Sequence, residues 1–417
     1  MTALQRQPWR TLRPQRRGPC LAAGVAIALT VTGARVMARS DAGFAVIIKT
    51  ISQDTLQGRL ISLTLDDGAV LEGAGSETQR VASEELVRLR TNAAASARPR
   101  QDYTLRLANG DVLDGRIVAG DADTVVIEAP WCGRLVVPLE SVERIDAARA
   151  TQSAHRESAN WLMRRKDLDQ DAILLTNGDV LQGFLKSIDA IGAAIEGDLG
   201  ENLVPHRLIV TIRLASAVFA GLDSPHARIA LRGGCRLTVT ELDWIGDVVE
   251  AAHVGGQRLR FDAAQVVEIE FVGGRWEWLS THQPISFEHT PMLSVGWEYS
   301  IDRNVLGGPI EIDGRRFDHG LGVHSRSRLV YELQGDYEEF VTLFGIDDNS
   351  GPKADVSVSV LLDGQRRLAE KHVRRGKLYG PIRINVARAN RIELVVDFGE
   401  NGNIQDRFNW VEPALIR

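Results

Sequence analysis

Seven side chains in the last third of the chain, one aromatic and six polar, have the chemistry of a surface that binds hydroxyl groups. Sugar recognition needs an aromatic face for the C–H side of a ring and several fixed hydrogen-bonding groups for its hydroxyls. Acidic and amide groups recur in the loop-like stretches FGIDDNSG and DFGENGNIQDRFNW. The predicted sugar-binding residues are Trp297, His324, Asp347, Asp348, Asn403, Asp406 and Asn409.

Each of these polar residues also has a structural interpretation. His324 follows a glycine-rich turn beside a predicted strand, where a buried, hydrogen-bonded histidine is common. Asp347 and Asp348 precede an asparagine and a glycine, a pattern typical of turns. Asp406 and Asn409 can fix the last loop by bonding its backbone. The sequence leaves both interpretations open.

Oxygen-bearing side chains near the C-terminus also suggest a hard cation. Calcium binds several oxygen ligands, and Asp397, Asn401 and Glu412 offer them in one segment. The spacing is not that of an EF-hand. We therefore expect at most an optional calcium ion at these three residues, and no required cofactor.

No residue pattern predicts catalysis. The nine histidines form no HxxxH pair for zinc, and no GxSxG elbow is present. Carboxylate pairs are numerous in this acidic chain, but no spacing singles one out. We therefore expect no enzyme activity.

The N-terminal segment differs from the rest of the chain. Residues 1–42 begin with several arginines, continue with the apolar run CLAAGVAIALTVTGA and end in small residues. This order is typical of a secretory signal peptide, and the run is short for a membrane span of about 20 residues. We expect an exported protein (periplasmic, cell-surface or secreted). A membrane is a partner only if this segment is an uncleaved anchor.

Net charge limits the classes of binding partner, and the cysteine content limits the number of disulfide bridges. The formal net charge is −6, and it becomes −12 without the six arginines of residues 1–38. Nucleic-acid binding needs clustered cations, so a nucleic-acid partner is not expected. Cys132 and Cys235 then remain, either as one disulfide bridge or, as we expect, as two separate buried thiols.

Repeated strand patterns fill the middle of the chain. LANGDVLDGRI and LTNGDVLQGFL head two nearly identical copies, and weaker copies flank them. With about five short strands each, they predict an array of small SH3-like or Sm-like β-barrels. The predicted repeats span 43–91, 103–146, 172–215 and 227–272, with a helical linker at 147–171.

Two glycine positions in these copies predict local geometry. Asn-Gly is a hairpin signal in which both turn residues are expected at positive φ. Gly115 and Gly183 follow the turn in mid-strand, where they predict a bulge or a sharp bend.

The C-terminal segment, 284–417, predicts a different all-β domain. Runs such as FVTLFGI, VSVSVLLDG and RIELVVDFG alternate apolar and polar residues, as half-buried strands do. Eight or so strands separated by acidic, Asn- and Gly-rich loops predict a two-sheet β-sandwich or jelly roll.

This segment resembles the NPCBM family of carbohydrate-binding modules, which is related to galactose-binding-like jelly rolls. The motifs that carry the resemblance are Trp297, GGPIEIDGRRFDHGLGVHSRSRLVYEL, FGIDDNSG, VSVLLDG and DFGENGNIQDRFNWVEPAL. The resemblance implies a β-sandwich, binding of a glycan such as the galactose-type sugars bound by some members, and a structural calcium. It covers about a third of the chain and does not include the repeats.

Together these observations predict an exported, non-catalytic protein that binds a glycan or polysaccharide through its C-terminal domain. The alternative is a structural or interaction scaffold. In that case the β-barrel repeats bind protein partners through exposed strand edges, and the sandwich is a stable end domain.

Overall fold

A computed structural model describes the chain at residues 43–52, 54–73, 75, 77–93, 102–165, 169–198, 200–219, 221–222, 225–292 and 296–417. These residues belong to one compact unit, Ser40–Arg417. The predicted leader at 1–42 lies outside them. The all-β prediction is confirmed, because the described residues contain 33 strands and one α-helix. No helix in this part of the chain is both long enough and apolar enough to cross a membrane.

Five strands lie in each of the four predicted repeats. Repeat 1 contains β1 (Phe44–Thr50), β2 (Thr55–Thr64), β3 (Gly68–Glu72), β4 (Thr78–Val81) and β5 (Leu86–Thr91). Repeat 2 contains β6 (Tyr103–Leu107), β7 (Val112–Gly120), β8 (Thr124–Ala129), β9 (Gly133–Pro138) and β10 (Val142–Ala147). Repeat 3 contains β11 (Asp171–Leu175), β12 (Val180–Ile188), β13 (Gly192–Gly197), β14 (Gly200–Pro205) and β15 (Ile209–Arg213). Repeat 4 contains β16 (His226–Leu231), β17 (Arg236–Ile245), β18 (Val248–His253), β19 (Arg258–Asp262) and β20 (Val266–Val272).

All four repeats have the same strand pairing. The first four strands form an antiparallel meander, and the fifth strand pairs back with the first. A short 3₁₀ turn precedes each fifth strand. The fifth strands also join the repeats in pairs, β5 with β20 and β10 with β15. Their outer edges are therefore not free to add a strand from a partner.

The glycines of repeats 2 and 3 have a clear geometric role. Tyr103 pairs with Gly115, whereas the next residue of β7 pairs with Glu128 of β8, so the strand changes partners at this glycine. A Cβ at Gly115 would lie 2.8 Å from the Glu128 carbonyl oxygen, and one at Gly183 only 2.2 Å from that of Glu196. The predicted bend is therefore present, and the glycines allow the close approach of two backbones at the corner.

The Asn-Gly turns differ from the prediction. In repeat 2 the Gly110 amide donates to the Leu107 carbonyl oxygen at 2.9 Å, and only Gly110 of the two turn residues has positive φ (87°). This is a three-residue hairpin loop that ends in a bulged glycine, so the expectation of positive φ at both residues is wrong. Asn109 instead accepts the Asp111 amide at 3.0 Å, which favours the wider loop.

A helix follows repeat 2, within the predicted linker. Helix α1 (Ser153–Arg164) packs on repeat 3 through the fully buried Ala159 and Leu162. Trp161 of this helix is 45% exposed and has the Arg165 guanidinium 5.0 Å from its ring centre.

Thirteen strands build the C-terminal part. They are β21 (Trp276–Trp278), β22 (Ser286–His289), β23 (Ser300–Ile301), β24 (Ile310–Ile312), β25 (Arg315–Phe317), β26 (Gly320–His324), β27 (Ser327–Glu332), β28 (Glu339–Ile346), β29 (Asp355–Leu362), β30 (Gln365–Arg374), β31 (Tyr379–Asn385), β32 (Arg391–Phe398) and β33 (Arg407–Ile416). Two antiparallel sheets form the predicted sandwich. One has the order β23-β26-β33-β28-β31, and the other β22-β27-β32-β29-β30.

The sandwich core lies between the two sheets and contains large apolar side chains such as Tyr331, Phe344 and Trp410. Strand β21 joins the first sheet beside β33 and precedes the predicted boundary at 284. Its tryptophans pack against Val87 of repeat 1, and the Trp276 indole N–H donates to the Leu86 carbonyl oxygen at 3.0 Å. The sandwich is therefore docked on the repeats through a buried apolar contact.

Candidate functional site

The chain crosses from one sheet to the other between β26 and β27, and this crossing forms the candidate site. His324, the last residue of β26, pairs with Arg407 of β33. Ser327, the first residue of β27, pairs with His289 of β22 and with Val396 of β32. Five strands therefore meet at this corner of the sandwich.

An aromatic stack marks the corner. The Trp297 ring lies parallel to the His324 ring, with an interplanar angle of 6° and 5.0 Å between ring centres. Trp297 is partly exposed, whereas His324 is 5% exposed. The structure therefore brings these two predicted site residues together and leaves part of the indole open to solvent.

Backbone contacts fix both histidine rings of the corner. His324 Nδ1 lies 2.9 Å from the Ser325 carbonyl oxygen and His289 Nε2 lies 3.2 Å from the same atom, so each donates its N–H there. The Trp297 amide donates to His289 Nδ1 at 3.2 Å. Burial lowers the pKa of His324, helped by the nearby His289 and Arg407. A neutral His324 keeps the Nε2 lone pair as an acceptor.

An ion pair lies at the same sheet crossing. Arg326 Nε lies 3.5 Å from Asp397 Oδ1, and the two side chains are 55% and 44% exposed. A planar donor and a carboxylate acceptor are thus available where the chain leaves His324. Asp397 was expected to bind calcium, but its nearest charged partner in the structure is this arginine.

Asp406 lies beneath the corner and is closed to solvent. It is fully buried, accepts the Ser325 hydroxyl at 2.6 Å and accepts the Asp355 amide at 3.1 Å. Burial raises the pKa of Asp406 to about 6. The expectation of direct sugar contact is corrected here, because both carboxylate oxygens are used to hold the sheet crossing.

The last loop approaches the same end of the sandwich. A Cβ at Gly402 would lie 2.9 Å from the Met292 sulfur, and the neighbouring Asn403 is partly exposed. Ile404 is 47% exposed and Met292 61% exposed. Asn403 therefore stays a candidate for sugar contact, on a loop with both amide and apolar groups.

Asp347 and Asn409 lie on the outer face of the first sheet and are covered. They are 1% and 0% exposed, and Asn409 Nδ2 donates to Asp347 Oδ2 at 2.8 Å. Asn304 Nδ2 lies 3.4 Å from Asp347 Oδ1, and a Cβ at Gly322 would lie 2.4 Å from the Arg303 carbonyl oxygen. The segment containing Asn304 is thus pressed onto the sheet. The predicted sugar contacts of Asp347 and Asn409 are corrected to structural contacts.

Asp348 has a structural contact of its own. Its carboxylate accepts the amides of Asp313 at 3.1 Å and Gly314 at 2.8 Å. These two residues form the turn of the β24–β25 hairpin and both have positive φ. The hairpin packs Ile310, Ile312 and Phe317 on the outer face of the sheet. Asp348 therefore fastens this cover, and its role as a sugar ligand stays a prediction.

Comparison with known proteins bears on the whole sandwich. Residues 276–416 match the NPCBM/NEW2 domain family. The match begins at β21 and covers the two sheets described above. It confirms the resemblance inferred from the sequence motifs. No curated protein matches the chain.

Several solved structures are similar to parts of the chain. A CBM51 module from Clostridium perfringens GH95 in complex with methyl-galactose is 24% identical, with 34% of this chain and 99% of that chain covered and a TM-score of 0.30. A structure of CBM51-2 in complex with GlcNAc, together with INT domains, from Clostridium perfringens ZmpB is 22% identical. The match covers 43% of this chain and 40% of that chain, with a TM-score of 0.30. The tandem CBM51 modules of Streptococcus pneumoniae Sp3GH98 are 13% identical, with 59% and 87% covered and a TM-score of 0.31.

The three predicted calcium ligands of the NPCBM/NEW2 domain do not meet. Glu412 is buried on β33, where it pairs with Lys49 and lies 3.7 Å from Arg88, both in repeat 1. Asp397 is on β32 in the other sheet, and Asn401 donates to the Lys353 carbonyl oxygen at 3.0 Å. This corrects the prediction, because repeat 1 supplies the cations that neutralise Glu412.

Another group in the NPCBM/NEW2 domain brings possible metal ligands together. Asp355, His372 and Glu400 have ligand atoms within 4.8 Å of one another. Arg374 already lies 3.3 Å from Asp355 Oδ2 and 3.2 Å from Glu400 Oε2. A nitrogen ligand and a guanidinium on both carboxylates suit an ion-pair network better than the all-oxygen shell of calcium. The donor set therefore does not fit a calcium ion in this arrangement.

Sequence reasoning missed two residues of the corner. His289 accepts the Trp297 amide, and Arg326 pairs with Asp397. Neither residue was predicted. Arg326 follows His324 within the GLGVHSRS motif, so its position at the sheet crossing was a usable signal. His289 had no such signal, because its partner lies 36 residues further along the chain.

Proposed function

We propose that this chain is an exported, non-catalytic carbohydrate-binding protein whose NPCBM/NEW2 domain recognises a glycan at the Trp297–His324 corner. The family match to residues 276–416 supports this proposal. The observation that carries it is the partly exposed indole held parallel to a buried imidazole, with the Arg326–Asp397 ion pair at the same sheet crossing. This is the combination that sugar recognition requires.

The corner offers a sugar ring several kinds of contact. The open part of the Trp297 indole can pack against the apolar C–H face of the ring. His324 Nε2 can accept a hydroxyl hydrogen, because the N–H of this neutral ring is used on the Ser325 carbonyl oxygen. Arg326 can donate to sugar oxygens and Asp397 can accept from hydroxyls, since both side chains are about half exposed. Recognition then needs no metal ion.

The same contacts favour binding over hydrolysis. Glycoside hydrolysis uses two carboxyl groups about 5–9.5 Å apart that both reach the scissile bond. Among the aspartates at this corner, Asp397 is exposed, but Asp406 is fully buried with both oxygens occupied. The Ser325 hydroxyl donates to Asp406 rather than to a histidine, so it is not activated as a nucleophile.

A glycan array probed with the whole chain tests the proposal. We expect binding to galactose-containing or N-acetylglucosamine-containing glycans and a loss of roughly tenfold or more for Trp297→Ala, as for an aromatic hot spot. Trp161→Ala is the matched control, because Trp161 is an exposed tryptophan on α1, outside the sandwich. Equal binding of both variants, or no glycan bound at millimolar concentration, would reject the proposal.

Export is proposed from residues 1–42 alone. N-terminal sequencing of the chain recovered from a secreting host gives the test. A mature N-terminus near residues 38–42 supports a cleaved signal peptide, and an intact N-terminus in the membrane fraction supports the anchor instead.

A protein-binding scaffold is the second candidate, and exposed apolar groups in repeat 3 favour it. Phe184 and Leu203 are each 61% exposed, and their pairing partners Glu196 and Ala194 place them on one face of the sheet. A partner that covers this face would be lost in a Phe184→Ser, Leu203→Ser variant that still binds glycan. Loss of glycan binding with the partner retained would instead point to the sandwich alone.

A further inference from the structure

A cationic cleft lies between repeat 1 and the NPCBM/NEW2 domain, away from the corner described above. Its volume is about 790 Å³, within the size range of ligand sites. Six basic side chains and only two acidic ones, Asp313 and Glu412, line it. The basic residues are Lys49, Arg88, Arg90, Arg315, Arg316 and Lys377. This concentration of positive charge contrasts with the net charge of −6 of the chain.

Half of these cations pair with no carboxylate in the part of the chain that the structure describes. Among the described residues, no acidic oxygen within 4.0 Å pairs with Arg315, Arg316 or Lys377, and all three are exposed. Aromatic faces position two of them. The Arg315 guanidinium carbon lies 5.3 Å from the Phe317 ring centre, and Lys377 Nζ lies 4.2 Å from that of Tyr379. Their charge is thus held at the cleft and is not neutralised by the protein.

A buried arginine in the same cleft is only loosely satisfied. The Arg88 side chain is 7% exposed, and its closest carboxylates, from Glu268, Asp318 and Glu412, are 3.6–3.7 Å away. Its Nε is buried without a hydrogen-bond partner. Buried guanidinium groups normally donate to oxygen at hydrogen-bonding distance, whereas the three carboxylates around Arg88 lie just beyond that distance.

The charge of the cleft also affects Lys49. Burial lowers the pKa of Lys49, and the positive charges of Arg88 and Arg315 lower it further against the opposing effect of Glu412. An anion bound among these groups would relieve this repulsion. Repeat 1 and the sandwich each contribute cations, so the site exists only while the two are docked.

We propose that this cleft binds the carboxylate or sulfate groups of an acidic polysaccharide. The ligand class rests on the proposed function, whereas the anion-binding geometry does not. A fork of guanidinium groups suits planar and tetrahedral oxyanions alike. Apolar side chains at the walls, Ile47, Phe317 and Leu378, suit the C–H faces of sugar rings. The cleft therefore gives the chain a second, charge-selective contact with a glycan.

Fluorescence polarisation of the whole chain with labelled polygalacturonate or heparin tests this. We expect binding that weakens with salt, and a loss of at least about tenfold in the triple variant Arg315→Gln, Arg316→Gln, Lys377→Gln. Arg366→Gln, Arg367→Gln, Lys371→Gln is the matched control, because these exposed cations lie on β30 and not in the cleft. A loss of equal size in the control variant would overturn the site.

Neutral glycan binding separates this inference from the proposed function. Trp297→Ala should lower affinity for neutral glycans while acidic probes still bind in a salt-dependent way. The cleft triple variant should show the reverse. If the chain binds neutral glycans but no acidic polysaccharide, the cleft proposal is wrong and the proposed function stands. Single-stranded DNA that competes with the acidic probes at equal charge would contradict the glycan assignment.

Discussion

Glu270→Gln is expected to weaken the bridge between repeat 4 and the sandwich in a pH-dependent way. Glu270 Oε1 on β20 lies 2.8 Å from Nε2 of His319, which precedes β26. Nδ1 of His319 lies 3.5 Å from Asp302, and its ring stacks on Trp278 at 4.9 Å. The two side chains of the bridge are 15% and 13% exposed, so solvent screens the bridge only weakly. Glutamine keeps the shape and can still accept from the Trp278 indole.

The size of the effect follows from the perturbed pKa values. Although burial opposes it, bonding to Asp302 and Glu270 raises the pKa of His319 from 6.5 to about 9. A rise of about 2.5, at about 1.36 kcal/mol for each pKa unit, corresponds to about 3 kcal/mol. His319 likewise lowers the pKa of Glu270 from 4.5 to about 2, against the effect of burial. Both values describe one interaction, so they are not added. Because Asp302 keeps part of the attraction, we expect a loss of about 2 kcal/mol at pH 6.

The two pKa shifts set the pH range in which the Glu270–His319 bridge stabilises the protein. Stability from the raised His319 pKa is fully present below pH 6.5 and is lost as pH rises through about 9. Stability from the lowered Glu270 pKa is present above pH 4.5 and is lost as pH falls through about 2. The bridge is therefore complete near pH 5–6 and has lost its charge attraction near pH 10.

Denaturant unfolding of wild type and Glu270→Gln at pH 6 and pH 10 measures the difference. We expect the two proteins to differ by about 2 kcal/mol at pH 6 and by much less at pH 10. Glu250→Gln is the matched control, because its 3.1 Å pair with Arg260 is exposed and contributes less than about 1 kcal/mol. A difference for Glu270→Gln that is the same at both pH values would refute the reasoning.

Three further outcomes are expected. Asp406→Asn should stabilise the protein by on the order of 1–3 kcal/mol at pH 7.5 and by little at pH 3.5. The reason is that the pKa of Asp406 is raised, so ionised Asp406 costs stability above about pH 6. Unfolding measured at both pH values checks this, and a destabilised variant would contradict it. Asp348→Ala should lower the thermal midpoint through the loss of about 1–2 kcal/mol of hairpin contacts while leaving glycan affinity unchanged, and a selective loss of affinity would restore Asp348 as a ligand. Calcium or a chelator should not change the thermal midpoint, because Arg374 occupies the carboxylates of Asp355 and Glu400; a calcium-dependent rise would show that the arginine is displaced.

The sandwich and the five-stranded repeats were predictable because their signals are local. Alternating patterns mark single strands, and the glycine of each corner follows its turn at the same spacing in repeats 2 and 3. Turn type was less predictable. Asn109 sits in a bulged three-residue loop, whereas the tighter turn with two positive φ values occurs at Asp313–Gly314. The side-chain bonds of Asn109 and Asp348 decide between these geometries.

The candidate site was only partly predictable because covering and docking are long-range events. Asp347 and Asn409 have the composition of a binding loop, but the segment around Asn304 folds over them. Glu412 pairs with Lys49, which is 363 residues away in the sequence, and no local sequence pattern predicts such a contact. Trp297 and His324 were chosen for their chemistry, and their stacking depends on the sheet crossing that brings β26 to β27.

An NMR titration of the whole chain with galactose and N-acetylglucosamine oligosaccharides is the most direct test of glycan binding at the Trp297–His324 corner. We expect the Trp297 indole N–H and the His324 ring signals to shift on sugar addition, while the backbone amides of Asp347 and Asn409 do not. Shifts confined to the covered outer face, or a Trp297→Ala variant that binds as tightly as wild type, would contradict it.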